Sequence, residues 1–139
     1  MTEYEAAYLF KELIDSAGNT SVNYVSVLFG FLVAGYLAAP RLSKVMSAIA
    51  IGLFSTFALL MIFTVNRTMA VTAGLVDDVR RSVSGGDTNL AWHPIVYEPV
   101  NFIEVFAPVY TSLLLVSFAA GLVFFFHCRR GDVVGKIAP

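Results

Sequence analysis

Three apolar runs decide what this chain can fold into: "VNYVSVLFGFLVAGYLAA" at 22–39, "VMSAIAIGLFSTFALLMIFTV" at 45–65 and "FIEVFAPVYTSLLLVSFAAGLVFFFH" at 102–127. A helix rises about 1.5 Å per residue, so about 20 residues cross a hydrocarbon core of about 30 Å, and each run is long enough or nearly so. Backbone amides in lipid need partners within the chain, and the alternating pattern of a membrane β-barrel is missing, so the runs read as helices. The expected fold class is an all-α integral membrane protein with three transmembrane helices.

Composition agrees. Of 139 residues, 58% are apolar and 14% charged, a balance that soluble domains seldom show. A formal net charge of −1 offers no basic face for nucleic acid, so that partner class is set aside. The one cysteine, Cys128, rules out a disulfide framework and a thiolate metal site, and is expected as a surface or lipid-facing thiol. Glu3, Glu5, Glu12 and Asp15 occupy the start, where a cleavable signal would carry lysines and then an apolar core, so the expectation is that the chain begins as mature protein.

The flanks of the runs suggest orientation. The "PRLSK" turn carries Arg41 and Lys44, and the tail at 128–139 carries Arg129, Arg130 and Lys136, against Lys11 alone among four acids at the start. Arg67, Arg80 and Arg81 weigh the other way, so the bias is modest. It favours an amino terminus outside and a carboxyl terminus in the cytoplasm, as in a bacterial inner membrane. Arg41, Lys44, Arg129 and Arg130 then serve as inner anchors at the headgroups, with His127 as an interface residue.

Two extramembrane elements are expected. Residues 1–18 read as a separate amphipathic helix, with a Thr2/Glu5 capping box and Gly18–Asn19 as its stop. Its apolar face is Ala6, Leu9, Phe10, Leu13, Ile14 and Ala17, lying either on the outer leaflet of the bilayer or against the protein's own outer loop. After the second span no proline intervenes, so that helix is expected to continue to about residue 83, with Val71, Leu75, Val79 and Val83 as a stripe and Asp77–Arg80 and Asp78–Arg81 as i, i+3 pairs. The segment 84–100, broken by prolines and rich in aromatics, is expected to return as a small cap over that stripe.

Candidate sites are few. Glu104 lies one turn inside the third run and is expected to pair with Arg67 at the edge of the second. A metal site from His93, Glu98 and Glu104 is a weak candidate, because no second histidine stands at ligand spacing, and no cofactor is expected. Span serines and threonines have no base at matching depth, so an enzyme is not expected; they read as backbone or interhelical hydrogen-bonders. Small residues at spacing four form the most specific pattern: Gly30, Ala34 and Ala38; Ala48, Gly52 and Thr56; Ser117 and Gly121. They permit close helix approach, within one bundle or between subunits.

The expected function is therefore non-catalytic helix packing, as a homo-oligomer or as an accessory subunit among other membrane proteins, with lipid as the surrounding partner. The rival is an oligomeric pore lined by Ser47, Ser55 and Thr64, or by Asn66, Arg67 and Glu104.

Overall fold

The computed structural model describes residues 3–84 and 101–130. Among these residues the fold is almost wholly helical and contains no strand. The first helix, α1, is Glu3–Ala38; a 3-10 turn, Ala39–Arg41, leads to α2, Lys44–Ser84; the third, α3, is Phe102–Arg129. All three are long and apolar enough to cross a membrane.

One expectation is overturned. The amphipathic helix at 1–18 and the first span at 22–39 are a single element, because α1 passes through Gly18 and Asn19 without a break. A helical glycine costs only about 1 kcal/mol relative to alanine, and a stop also needs a left-handed residue there, which Gly18 is not. Thr20 Oγ1 donates to the Ser16 carbonyl at 2.9 Å, so the junction is tied as helix.

The real boundaries carry local signals. Pro40 has no N–H to offer α1, and the chain tightens into the 3-10 turn, closed by Leu42 N–H on the Ala39 carbonyl. Ser43 then caps α2, its hydroxyl accepting the Met46 N–H at 3.2 Å. The end of α2 at Ser84 lies one residue from the expected position, just before Gly85–Gly86. Asn101 caps α3: its Oδ1 accepts the Ile103 N–H at 3.2 Å and its carbonyl accepts the Glu104 N–H at 3.0 Å. Pro108 sits inside α3, where it leaves the Glu104 carbonyl without its helical donor.

The chain divides into two compact units, one of residues 1–20 with 63–112 and the other of residues 21–62 with 113–139. In the first, Ala6 and Ala17 of α1, Val65, Thr72 and Val76 of α2, and Asn101 and Ile103 at the head of α3 are buried. The α1 segment therefore packs on the protein itself. Its buried line is centred on Ala6 and Ala17, with Phe10 and Leu13 half-buried and Leu9 and Ile14 exposed. The buried line of α2 runs through Thr72 and Val76; Val71 is exposed and Leu75 half-buried, so the expected stripe lies to one side of the packed face. The cap at 84–100 falls outside the described residues apart from Ser84, which ends α2.

In the second unit an aromatic column joins the three helices. Phe31 stacks on Phe54 with centroids 3.9 Å apart and planes 3° from parallel, and on Phe125 at 5.0 Å; Phe54 meets Phe118 at 5.6 Å. Such stacking contributes by close contact and dispersion. Two glycines let the helices close on this column. A Cβ at Gly35 would lie 3.2 Å from Phe125 Cδ2, and one at Gly121 would lie 2.9 Å from Leu28 Cδ1 and 3.5 Å from Phe54 Cζ.

Candidate functional site

The small-residue pattern separates into an inner and an outer set. Gly121 is buried and Ser117 half-buried inside the second unit. By contrast Gly30 and Ala34 on α1, and Ala48, Gly52 and Thr56 on α2, are exposed, and a Cβ at Gly30 or Gly52 would meet nothing within 4 Å; Ala38 is half-buried. Helix phase explains the split. On α2 the buried residues Ser47, Phe54, Ala58 and Val65 cluster on one side, whereas Ala48, Gly52 and Thr56 lie about 120–200° from Phe54. The sequence pattern did not single out Gly35, which makes the close contact on α1 that Gly30 was expected to offer.

A buried polar clamp accompanies the inner set. Tyr24, 1% exposed, brings its hydroxyl to 2.8 Å from the Leu114 carbonyl and 2.8 Å from Ser117 Oγ, and Ser117 itself donates to Leu114 at 2.8 Å. Three oxygens thus share two hydroxyl protons, and every polar atom of the Tyr24 side chain is satisfied. Ser26 and Ser112 instead donate to carbonyls four residues back. Ser47 is the exception, because its hydroxyl is fully buried and has no hydrogen-bond partner.

The expected Arg67–Glu104 pair is not formed. Arg67 points about 200° away from Val65 on the packed face of α2, and Glu104 about 100° away from Ile103 on that of α3, so both side chains are exposed and divergent. Asn101 makes the polar tie between these helices: its Nδ2 donates to the Ala73 carbonyl at 3.1 Å and to Asp77 Oδ1 at 3.2 Å. The signal was an Asn just before an apolar run, with Glu three residues later. The two i, i+3 pairs on α2 are present, Asp78–Arg81 at 2.9 Å and Asp77–Arg80 at 3.9 Å, on side chains open enough for water to screen them.

Other candidates disperse. His93 and Glu98 lie outside the described residues, and among the described residues no group of three His, Cys, Asp or Glu side chains could hold a metal ion. The seam of Ser47, Ser55 and Thr64 is not one face: Ser47 is buried, Thr64 exposed, and Ser55 lies about 180° from Thr64. Asn66, Arg67 and Glu104 are all exposed. Cys128 is 2% exposed, not a surface thiol, because it follows Phe125 by three residues and Gly121 by seven on the packed face of α3. His127 beside it is exposed. Arg41, Lys44 and Arg130 are exposed and Arg129 half-buried.

Comparison with protein-family models, curated proteins and solved structures finds no match to this chain.

Proposed function

We propose that this is a non-catalytic three-span membrane protein that works by helix packing, its first and second helices offering small-residue faces to other transmembrane helices. The observation that carries this reading is the outward line of Ala48, Gly52 and Thr56 on α2, joined by Gly30 and Ala34 on α1. Small residues at spacing four let two backbones approach closely, and in lipid that approach drives association because no hydrophobic gain separates helix from tail. Among the described residues, a Cβ at Gly30 or Gly52 would meet nothing within 4 Å, and Ala34, Ala48 and Thr56 are exposed. Support comes also from how little each span buries: 22%, 22% and 17% of the most apolar windows of α1, α2 and α3. The remaining surface is covered by lipid or by other helices.

The proposed orientation has the amino terminus outside and the Arg41, Lys44, Arg129 and Arg130 end in the cytoplasm, as in a bacterial inner membrane. Partners are further copies of this chain or other membrane subunits. The test is native mass spectrometry of nanodisc-embedded protein taken from its natural membrane, beside a Gly52→Leu variant. The expected result is a fixed assembly, either a uniform multiple of 15.1 kDa or a constant ratio with other chains, that Gly52→Leu breaks down. A monomer in the natural membrane, or an assembly indifferent to leucine at Gly52 and Gly30, overturns the reading.

A further inference from the structure

All the formal charge among the described residues of the second unit is positive, and it gathers at one end. Residues 21–62 and 113–130 contain Arg41, Lys44, Arg129 and Arg130 and no Asp or Glu. Within this unit α1 and α3 run in the same direction, since Tyr24 meets Leu114 and Ser117 while Gly35 meets Phe125. Arg41 therefore follows Gly35 out of the packed helices at the end where Arg129 and Arg130 follow Phe125, and the turn into α2 adds Lys44 there. None of the four has an acidic partner among the described residues, where ion pairs join Asp77 to Arg80 and Asp78 to Arg81.

Helix electrostatics account for only part of this cluster. Arg129 closes α3, whose carbonyl end favours a cation. Lys44 is the reverse case. It opens α2, where the dipole is positive, no acid stands in the first turn, and the Ser43 hydroxyl serves only the Met46 amide, leaving the Lys44 and Val45 amides without helical partners. A cation there, gathered with three others at the same end of the unit, is best met by an anion from outside. The cations are bordered within about a turn by exposed apolar side chains: Tyr36, Leu37, Val45, Met46 and Phe126. An anion with a hydrocarbon body fits both features.

We propose that this end of the second unit is a binding surface for anionic phospholipid headgroups, the phosphodiester held between the head of α2 with Arg41 and Lys44 and the end of α3 with Arg129 and Arg130. The proposal rests on the membrane reading above and adds a lipid class to it. A zwitterionic headgroup carries its own compensating cation and is the weaker ligand; a net-negative one such as phosphatidylglycerol is preferred.

The experiment places the full chain in nanodiscs of phosphatidylcholine alone and of phosphatidylcholine mixed with phosphatidylglycerol of the same tails, and reads by native mass spectrometry which lipids stay on the released protein. Expected is a retained phosphatidylglycerol ratio above the bulk ratio by roughly fivefold or more, eroded by high salt. It falls in Arg41→Gln/Lys44→Gln and in Arg129→Gln/Arg130→Gln, and persists in Arg67→Gln, whose charge lies outside this unit. Excess soluble glycerol phosphate leaves the ratio unchanged; displacement by it overturns the lipid in favour of a free phosphate. A bulk ratio on the wild-type protein, or an enrichment indifferent to salt and to both pairs of substitutions, also overturns the proposal while the membrane reading stands. Failure to enter nanodiscs of phosphatidylcholine alone overturns both.

Discussion

Replacing Tyr24 with phenylalanine tests whether the polar clamp holds α1 against α3. The substitution keeps the ring, which is 1% exposed, so no cavity opens and no backbone shift is needed. It removes one hydroxyl that lies 2.8 Å from both the Leu114 carbonyl and Ser117 Oγ. No orphan is left behind, because Ser117 still donates to Leu114 at 2.8 Å. The loss is therefore that of a shared hydrogen bond with no added desolvation penalty. Interhelical hydrogen bonds in membranes average about 0.6 kcal/mol and reach about 1.7, so Tyr24→Phe is expected to cost about 1 kcal/mol, roughly fivefold in the unfolding equilibrium. Part of that cost belongs to Ser117. In a Ser117→Ala background Tyr24 keeps only the Leu114 carbonyl, so the double-mutant cycle isolates a coupling of about 0.6 kcal/mol. Reversible unfolding in bicelles, followed for the four proteins, gives all the terms. A coupling below about 0.3 kcal/mol refutes the clamp, and a cost above about 3 kcal/mol for Tyr24→Phe alone refutes the claim that the hydroxyl leaves nothing unsatisfied.

Other substitutions follow the same logic. Ser47→Ala removes a buried hydroxyl that has no partner, so thermal unfolding in detergent is expected to shift upward, by the equivalent of about 1 kcal/mol or more; a clear loss of stability contradicts the missing bond. Gly35→Leu drives atoms into the Phe125 ring and is expected to destabilise the isolated chain by several kcal/mol, whereas Gly52→Leu, with nothing within 4 Å, leaves its unfolding within about 0.5 kcal/mol and acts only on association. Asn101→Ala removes the cap of α3 together with the bonds to Ala73 and Asp77, at an expected total of about 2 kcal/mol, and hydrogen exchange should quicken first at Ile103, Glu104 and Val105. Exchange equal to the parent protein at those amides would refute the capping role.

The sequence carried the existence and type of the long elements well, because length and hydropathy are properties of a run and need no knowledge of neighbours. It carried the turn at Pro40–Ser43 and the end of α2 near Gly85 for the same reason: proline, a serine cap and paired glycines act locally. It failed at Gly18–Asn19, where a local stop signal met no second breaker. Gly18 costs a helix little, and α1 packs through Ala17 just before it and Tyr24 soon after, so continuing the helix is the lower-energy course. The Arg67–Glu104 expectation failed for a different reason. It matched the two residues by depth along their helices, while side-chain pairing is decided by the direction in which each helix faces.

Direction is also what the small residues left undetermined. A glycine or alanine every fourth residue fixes a line along a helix but not which side of the helix meets its own chain. On α1 two glycines five residues apart, Gly30 and Gly35, lie about 140° from each other, so only one of them is able to face the core. The choice falls to the aromatic residues: Phe31 stacks on Phe54 and Phe125, and this turns Gly35 inward against Phe125 and leaves Gly30 outside with Ala34. The same column orients α2 through Phe54, which sends Ala48, Gly52 and Thr56 to the far side. Large residues thus set the phase of each helix, and small residues become close contacts or free faces accordingly. Exchanging Phe31 for alanine removes two of the three stacked contacts that set this phase. Its expected cost is about 3 kcal/mol or more, with hydrogen exchange at the Gly35 and Phe125 amides quickening in step. A Phe31→Ala protein that keeps the parent's exchange at those amides and full stability would show that the glycines set the phase themselves.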